Sequence, residues 1–341
     1  MNKITTLGID LAKNVFQLHG VDERGRVVMR RQVRRAQLVG FIAQLPPCVI
    51  GMEACASAQQ WGRRFTRHGH RVRLMSPQFV KPYVKSQKND AADAEAICEA
   101  VQRPSMRFVP LKSFEQQDLQ SAHRLRQGLV RDRTASINRI RGLLGEYGVA
   151  LARRPATVRR EVPAVLEDGG NELTVVAREI ISELYEHCKD LEQRIARTEG
   201  LIARLGSTHE TVRRLQTVPG IGLLGATALV AAVGEAQVFR NGRQMAAWLG
   251  LVPRQYSSGG KPRLLGISKR GDRYVRTLLV HGARAVVTAA ERYPKPAQQW
   301  ITALLERRGR ARTYVAQANK IARIAWAVMT SGQCYRATVV S

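Results

Sequence analysis

The chain has 341 residues, of which 55 are Lys or Arg and 27 are Asp or Glu, so its formal net charge is +28. A hydrophobic fraction of 44% excludes a disordered basic tail, and the length suggests two or three domains. Such an excess of cations indicates a polyanionic partner, which we interpret as nucleic acid.

The cysteines and the apolar segments exclude several further classes. The five cysteines are scattered without a CxxC pair, which argues against a disulfide framework and a zinc ribbon. The first residues have no basic stretch followed by an apolar one, and the longest uncharged run, residues 215–234, is interrupted by a proline and glycines. We therefore expect a cytoplasmic, reducing setting, no signal peptide and no membrane span.

The charge is distributed unevenly along the chain. Residues 1–103 carry a net charge of +9 and residues 104–160 carry +8. Residues 161–210 carry −6, whereas residues 211–341 carry +17. This distribution indicates at least two segments that face nucleic acid and one acidic segment with a different role.

The first hundred residues have the pattern of an α/β domain. Short apolar runs at residues 4–9, 15–21 and 27–33, separated by polar links, predict an antiparallel meander. Helices and strands then alternate, which predicts a mixed sheet flanked by helices. The predicted elements are a helix at 35–45, a strand at 48–52, a helix at 58–68, a strand at 72–75 and a helix at 90–102.

The middle of the chain has the pattern of two long helices. Residues 113–147 and 172–205 have apolar residues at spacings of three and four and contain no proline. The pattern fits an antiparallel hairpin within one chain and a pair between chains equally well. We assign the basic first helix to nucleic acid and the acidic second helix to protein association.

The region from residue 211 onward is predicted to be mainly helical, with a loop-rich centre at 250–272. Residues 215–234 have the form of a helix-hairpin-helix, in which Gly220 and Gly222 would let backbone N–H groups approach a phosphate. A glycine-rich helix junction packed inside the domain fits the same residues.

Four carboxylates mark a candidate metal site in the first domain. Asp10 and Glu53 end predicted strands, and Asp90 and Asp93 open a predicted helix on one face. If these acids converge they repel one another unless hard cations neutralise them, and Mg²⁺ fits oxygen ligands of this kind. Taken singly, each acid could instead be a helix cap or a turn residue.

A second candidate site lies at residues 250–276. Ser257 and Ser258 precede Gly259 and Gly260, a sequence that can expose a hydroxyl. The cations that follow can hold a phosphodiester, and they are Lys261, Arg263, Lys269, Arg270, Arg273 and Arg276. Because no His or second carboxylate is adjacent as a base, these residues alone favour a phosphate-binding turn over a nucleophile.

The order of these motifs resembles the insertion-sequence one-ten family of bacterial transposases, which are described as bridge-RNA-guided recombinases. The motifs are GID, an E-A segment, N-D-x-x-D, PGIG, G-L-x-P with S-G, and G-x-S-K-x-G, and they cover nearly the whole chain. The resemblance implies a RuvC-like, RNase H-fold domain over 1–105, a long helical (coiled-coil) dimerisation region over 106–210 and a mainly α transposase domain over 211–341.

The same resemblance assigns roles to the two sites. Asp10, Glu53, Asp90 and Asp93 fall on the family's DEDD set, which binds Mg²⁺. Ser258 falls on a nucleophilic serine that forms a covalent phosphoserine link to DNA, with Ser257 as the alternative register.

The resemblance also implies the partners. These are target and donor DNA, a structured bridge RNA that guides the enzyme, and further copies of the chain that assemble from dimer to tetramer near the bacterial nucleoid. Two other functions are compatible with the residues: a RuvC-like nuclease or junction resolvase that uses water as its nucleophile, and a non-enzymatic nucleic-acid-binding protein.

Overall fold

The structure is a computed structural model that describes residues 3–85, 89–152, 154–294 and 298–336. The chain divides into two compact units, Met1–Ser113 and Phe114–Ser341. Within the described residues, none of the helices combines the length and the hydropathy needed to span a lipid bilayer.

The N-terminal unit is built on a six-stranded mixed sheet with the order β3-β2-β1-β4-β5-β6. Its strands are β1 (Thr6–Asp10), β2 (Val15–Val21), β3 (Val27–Arg34), β4 (Val49–Glu53), β5 (Arg71–Met75) and β6 (Phe108–Val109). The first three strands form the predicted antiparallel meander, whereas β4 and β5 run parallel to β1. The two-residue strand β6, which the sequence pattern did not predict, pairs antiparallel with β5.

Helices cover both faces of this sheet. They are α1 (Leu38–Ala43), α2 (Ala58–Arg67), α3 (Pro77–Val80), followed by a 3-10 turn (Lys81–Tyr83), and α4 (Asp90–Val101). Phe16, Trp61 and Phe65 are fully buried where α2 packs on the sheet. Helix α4 packs against β1, β2 and β4. The mixed sheet flanked by helices is thus confirmed.

Gly8 determines how closely α4 approaches the sheet. A Cβ atom at this position would lie 2.3 Å from the carbonyl oxygen of Ala94 and 2.6 Å from the amide nitrogen of Cys98. Contacts this short with backbone atoms cannot be relieved by rotating a side chain. The glycine in the middle of β1 therefore lets the first turn of α4 lie beside the end of β1.

We expect Gly8→Ala to destabilise the protein by about 2 kcal/mol or more, because the added methyl group overpacks a backbone contact. Gly40→Ala is the matched control, since Gly40 lies in α1 with open space around its Cβ position. That change is expected to be neutral or to stabilise the helix by about 0.5–1 kcal/mol. Urea unfolding of the two variants measures the difference, and equal midpoints would contradict this account of the packing.

The C-terminal unit begins with a long helical hairpin. It contains α5 (Phe114–Glu146), α6 (Pro155–Glu167) and α7 (Val175–Ser207). Arg126 bonds Glu199 near one end of the pair, and Ile137 shares a buried cluster with Ile181 near the other, so α5 and α7 are antiparallel. The structure thus shows the hairpin within one chain, with α6, which was not predicted, packed at its tip.

The rest of this unit is mainly helical around one large core. Its elements are α8 (Glu210–Gln216), α9 (Leu223–Val233), a 3-10 turn (Ala236–Val238), α10 (Gly242–Trp248), β7 (Pro253–Gln255), β8 (Leu264–Ile267), α11 (Arg273–Arg292) and α12 (Gln299–Ser331). Gly309 interrupts α12 with a φ of 72°. The core joins Leu215, Leu229, Met245, Leu279 and Ile321. A β-hairpin occupies the segment that was predicted to be a loop.

A buried histidine links the long hairpin to this core. His123 of α5 is 3% exposed, with Nδ1 3.0 Å from the Tyr274 hydroxyl and Nε2 2.9 Å from the Thr227 hydroxyl. Thr227 donates its own proton to the Leu223 carbonyl, so it accepts from His123 Nε2–H and leaves Nδ1 to accept from Tyr274. A neutral imidazole satisfies both hydrogen bonds in this arrangement. Burial, followed by the charge of Arg126, lowers the His123 pKa to about 4.

The protein is therefore expected to lose stability on acidification. In the unfolded chain His123 has a pKa near 6.5, so between pH 6.5 and 4 the unfolded state binds the proton more readily. The contribution of His123 is fully present above pH 6.5 and falls by up to about 3 kcal/mol as the pH drops to 4. The test is the free energy of unfolding of wild type and His123→Gln across this range. If the free energies of unfolding of wild type and His123→Gln changed in parallel with pH, a buried, neutral His123 would be contradicted.

Candidate active site

Three of the four predicted acids converge in the N-terminal unit. Asp10 ends β1, and Asp90 and Asp93 lie in the first turn of α4. One carboxylate oxygen from each lies within 4.8 Å of the others. The N-cap of α4 is Asn89, whose Oδ1 accepts a hydrogen bond from the Ala92 amide at 2.8 Å. Asp90 is therefore not needed as the cap, which sequence reasoning had left open.

Glu53 lies at the same edge of the sheet. Ile9 pairs with Met52 across the parallel strands β1 and β4, so Asp10 and Glu53 follow at neighbouring strand ends. Glu53 is half-buried and lies outside the group of three oxygens. Burial raises the pKa of the nearby Cys55 thiol, and the negative charges of Glu53 and Asp10 raise it further. The charge of both strand-end acids thus acts on Cys55, two residues after Glu53.

The donor set fits a hard divalent cation. Carboxylates this close repel one another unless a cation or a proton lies between them, and oxygen is the ligand type that Mg²⁺ and Mn²⁺ prefer. Within the described residues, neither Asp90 nor Asp93 forms an ion pair with Lys or Arg. The three carboxylates therefore have the ligand type and the proximity of a divalent-cation site.

The serines lie at the tip of the β7–β8 hairpin. The amide of Lys261 donates to the Ser258 carbonyl at 3.0 Å, which closes a two-residue turn over Gly259 and Gly260. Both glycines have positive φ, 55° and 73°, as hairpin turns of this length require. The Gly-Gly pair therefore presents Ser258 and Lys261 opposite each other at an exposed turn.

The two serine hydroxyls have different environments. Ser257 Oγ accepts hydrogen bonds from the Arg263 amide and from Gln255 Nε2, both at 3.0 Å, so it braces the hairpin. The Ser258 side chain is exposed, and its hydroxyl has no hydrogen-bond partner among the residues that the structure describes. The positions of the two serines in the sequence could not show that the Ser257 hydroxyl is hydrogen-bonded within the hairpin and the Ser258 hydroxyl is not.

The predicted phosphate ligands fall into two groups. The exposed ones are Lys261, Arg263, Lys269, Arg270 and Arg273. Arg276, in contrast, is 9% exposed and donates to the carbonyls of Leu249 and Arg270 at 3.0 and 3.2 Å. Its guanidinium thus fixes the loop before α11, and phosphate binding by Arg276 stays a prediction.

The turn between α8 and α9 is packed on α11. Gly220 has a φ of 90°, and a Cβ added at Gly282 of α11 would lie 1.8 Å from the Gly220 carbonyl oxygen. Gly220 therefore allows close packing between this turn and α11. This agrees with the alternative interpretation, a glycine-rich helix junction packed inside the domain. Gly222 is exposed at the N-cap of α9, with open space around it. Phosphate binding at Gly220 and Gly222 stays a prediction, and Gly222 has the room for it.

Comparison with known proteins gives these two sites a common context. A family model for DEDD-type transposases matches residues 7–149, and the model described as "Transposase IS116/IS110/IS902 family" matches residues 212–298. These matches define a DEDD transposase with an RNase H-like N-terminal domain, an enzyme that cleaves and rejoins DNA. This class excludes the non-enzymatic alternative.

Relatives that match along the whole chain identify the family. The chain is 52% identical over 334 residues to a probable family 20 transposase of Pseudomonas aeruginosa, covering 98% of this chain and 99% of that one. It is 46% identical over 336 residues to the transposase for insertion sequence element IS1111A of Coxiella burnetii, covering 98% and 92%. The transposase for IS1328 of Yersinia enterocolitica is 41% identical, with 98% and 99% covered. The chain belongs to the IS110/IS116 family of insertion-sequence transposases.

Proposed function

We propose that this transposase is a Mg²⁺-dependent, RNA-guided recombinase in which Ser258 is the nucleophile. The observation that carries the proposal is the convergence of Asp10, Asp90 and Asp93 on one point at the sheet edge. Three acids from two segments far apart in the sequence have little structural reason to meet in a strongly basic protein. They have a chemical reason if they bind a cation for phosphoryl transfer.

The acidic pocket would hold the metal. Asp10, Asp90 and Asp93 are the proposed ligands, and Glu53 at the adjoining strand end is the proposed fourth. A bound divalent ion stabilises negative charge that develops on phosphoryl oxygens and on the attacking or leaving oxygen. Gly8 and the Asn89 cap are the features of the chain that position α4, and with it two of the carboxylates.

The exposed hydroxyl would attack the DNA. In the proposed step Ser258 Oγ forms a bond to phosphorus, the bond from phosphorus to the leaving DNA oxygen breaks, and the seryl proton passes to a base. Lys261 and Arg263 lie on the same hairpin and would balance the charge on the phosphoryl group. No His or carboxylate bonds Ser258 within the described residues, so the base would come from outside the hairpin. Rejoining reverses the step and frees the serine.

Guidance by RNA and assembly into a homo-oligomer complete the proposal. Target and donor DNA would be selected by pairing with a structured RNA from the element, while the protein binds backbone and helical shape. The net charge of +28 and the low aromatic fraction of 6% suit backbone contact better than base stacking.

A recombination assay with purified components tests the guided part of this function. Wild-type protein, Mg²⁺, the element's RNA and two DNA duplexes are expected to give joined donor-target products. Changing the pairing segment of the RNA is expected to move the junction to a matching target. Equal amounts of product without RNA, or a junction that stays in place when the RNA changes, would contradict RNA guidance.

A further inference from the structure

A large open groove lies in the C-terminal unit between α10, the β7–β8 hairpin and α12. It has a volume of about 1520 Å³, and its lining includes the apolar residues Leu304 and Val315. Leu264, Leu265 and Trp300 on its walls are 64%, 37% and 42% exposed. Continuous apolar surface of this kind is typical of a site that a partner covers.

The groove is also strongly positive. Five cations line it: Arg243, Arg308, Arg312, Lys320 and Arg323. No Asp or Glu is among its described lining residues. None of the five cations forms an ion pair within the described part of the chain. The groove therefore fits an apolar surface that carries negative charge.

Such a surface exists on the first turns of α7. Val175, Val176 and Ile180 are 73%, 62% and 48% exposed. Glu179 and Glu183 are exposed on the same side of the helix, because residues three and four apart share a face. We call these five residues the α7 tip patch. Neither glutamate forms an ion pair with a described residue.

The α7 tip patch lies far from the groove of its own chain. The other end of α7 packs on α9, where a Cβ added at Gly206 would lie 2.6 Å from Thr227. From Ile180 to Ser207 the helix rises by about 40 Å at 1.5 Å per residue. The groove is built by elements at that far end, so the patch can reach such a groove only on another molecule.

We propose that the α7 tip patch of one copy of this chain docks in the groove of a second copy. Val176 and Ile180 would cover the apolar lining, and Glu179 and Glu183 would face Arg312 and Lys320. A two-fold axis would make the contact reciprocal, so that each copy covers both of its partner's exposed surfaces. The inference rests on the homo-oligomer in the proposed function and gives it a specific contact.

Charge-reversal variants of the full-length protein test this interface, and the measurement is made without nucleic acid. The tip variant carries Glu179→Arg and Glu183→Arg, and the groove variant carries Arg312→Glu and Lys320→Glu. By sedimentation velocity each variant alone is expected to self-associate at least about tenfold more weakly than wild type. An equimolar mixture is expected to restore the dimer, because each tip then meets a groove of opposite charge. Glu23→Arg with Glu115→Arg, two exposed acids elsewhere, is the control and should associate as wild type does.

Several results would overturn the proposal. They are a wild-type chain that stays monomeric, variants that associate normally, and a mixture that remains unassociated. If the groove variant loses only affinity for DNA or RNA, the groove is a nucleic-acid site instead. Because self-association is measured without RNA or DNA, failure here is distinguishable from failure of RNA-guided recombination.

Discussion

Asp93→Asn is expected to lower the rate of DNA strand transfer by a factor of about a thousand, because one charged oxygen ligand is lost from the proposed metal pocket. The same change should leave the metal-free protein as stable as wild type or slightly more stable, since it relieves repulsion among Asp10, Asp90 and Asp93. Strand-transfer rates and thermal unfolding, each with and without Mn²⁺, separate these two effects. Mn²⁺ should raise the unfolding temperature of wild type more than that of the variant.

Glu99→Gln is the matched control for this change. Glu99 is exposed on the same helix and pairs with Arg103 four residues on. It contributes nothing to the pocket, so its variant should transfer strands at close to the wild-type rate. The metal assignment fails if both variants have the same activity, or if Mn²⁺ stabilises Asp93→Asn as much as wild type.

Ser258→Ala is expected to abolish strand transfer, a loss of at least about ten-thousandfold, because the proposed attacking oxygen is removed. Ser257→Ala should lose only about tenfold, since the hairpin forfeits two hydrogen bonds but keeps its Gly-Gly turn. Both changes are at exposed positions, and circular dichroism should show folded proteins.

The two serine variants also distinguish a serine nucleophile from water. If metal-bound water attacked the DNA, Ser258→Ala would still cleave at a measurable fraction of the wild-type rate. A larger loss for Ser257→Ala than for Ser258→Ala would place the reacting hydroxyl one residue earlier.

Local patterns in the sequence were sufficient to predict most of the larger elements. The meander and the alternating strands and helices of residues 4–101 follow from apolar periodicity, which a strand or helix carries within itself. The short strands are not predictable in this way, because they form only where another strand is available to pair with them. Strand β6 has only two residues and depends on β5, and the β7–β8 hairpin is exposed and carries little apolar pattern.

The candidate site was predictable in its residue types but not in its details. Acids at strand ends and at a helix start were expected to converge, and three of them do. The cap at Asn89, the brace at Ser257 and the burial of Arg276 depend on which partner each side chain meets. Periodicity could not decide whether α5 and α7 pair within one chain, because either partner satisfies the same apolar stripe.

The central claim is that the proposed nucleophile, Ser258, and the proposed metal ligands, Asp10, Asp90 and Asp93, act on the same phosphodiester. The direct measurement is mass spectrometry of peptides from reactions stopped by denaturation, which identifies a residue covalently linked to DNA. We predict a phosphodiester on Ser258 that forms only with a divalent metal and is lost in Asp10→Asn. DNA cleaved without any linked peptide, or a Ser258 adduct that forms equally well in Asp10→Asn, would contradict the account.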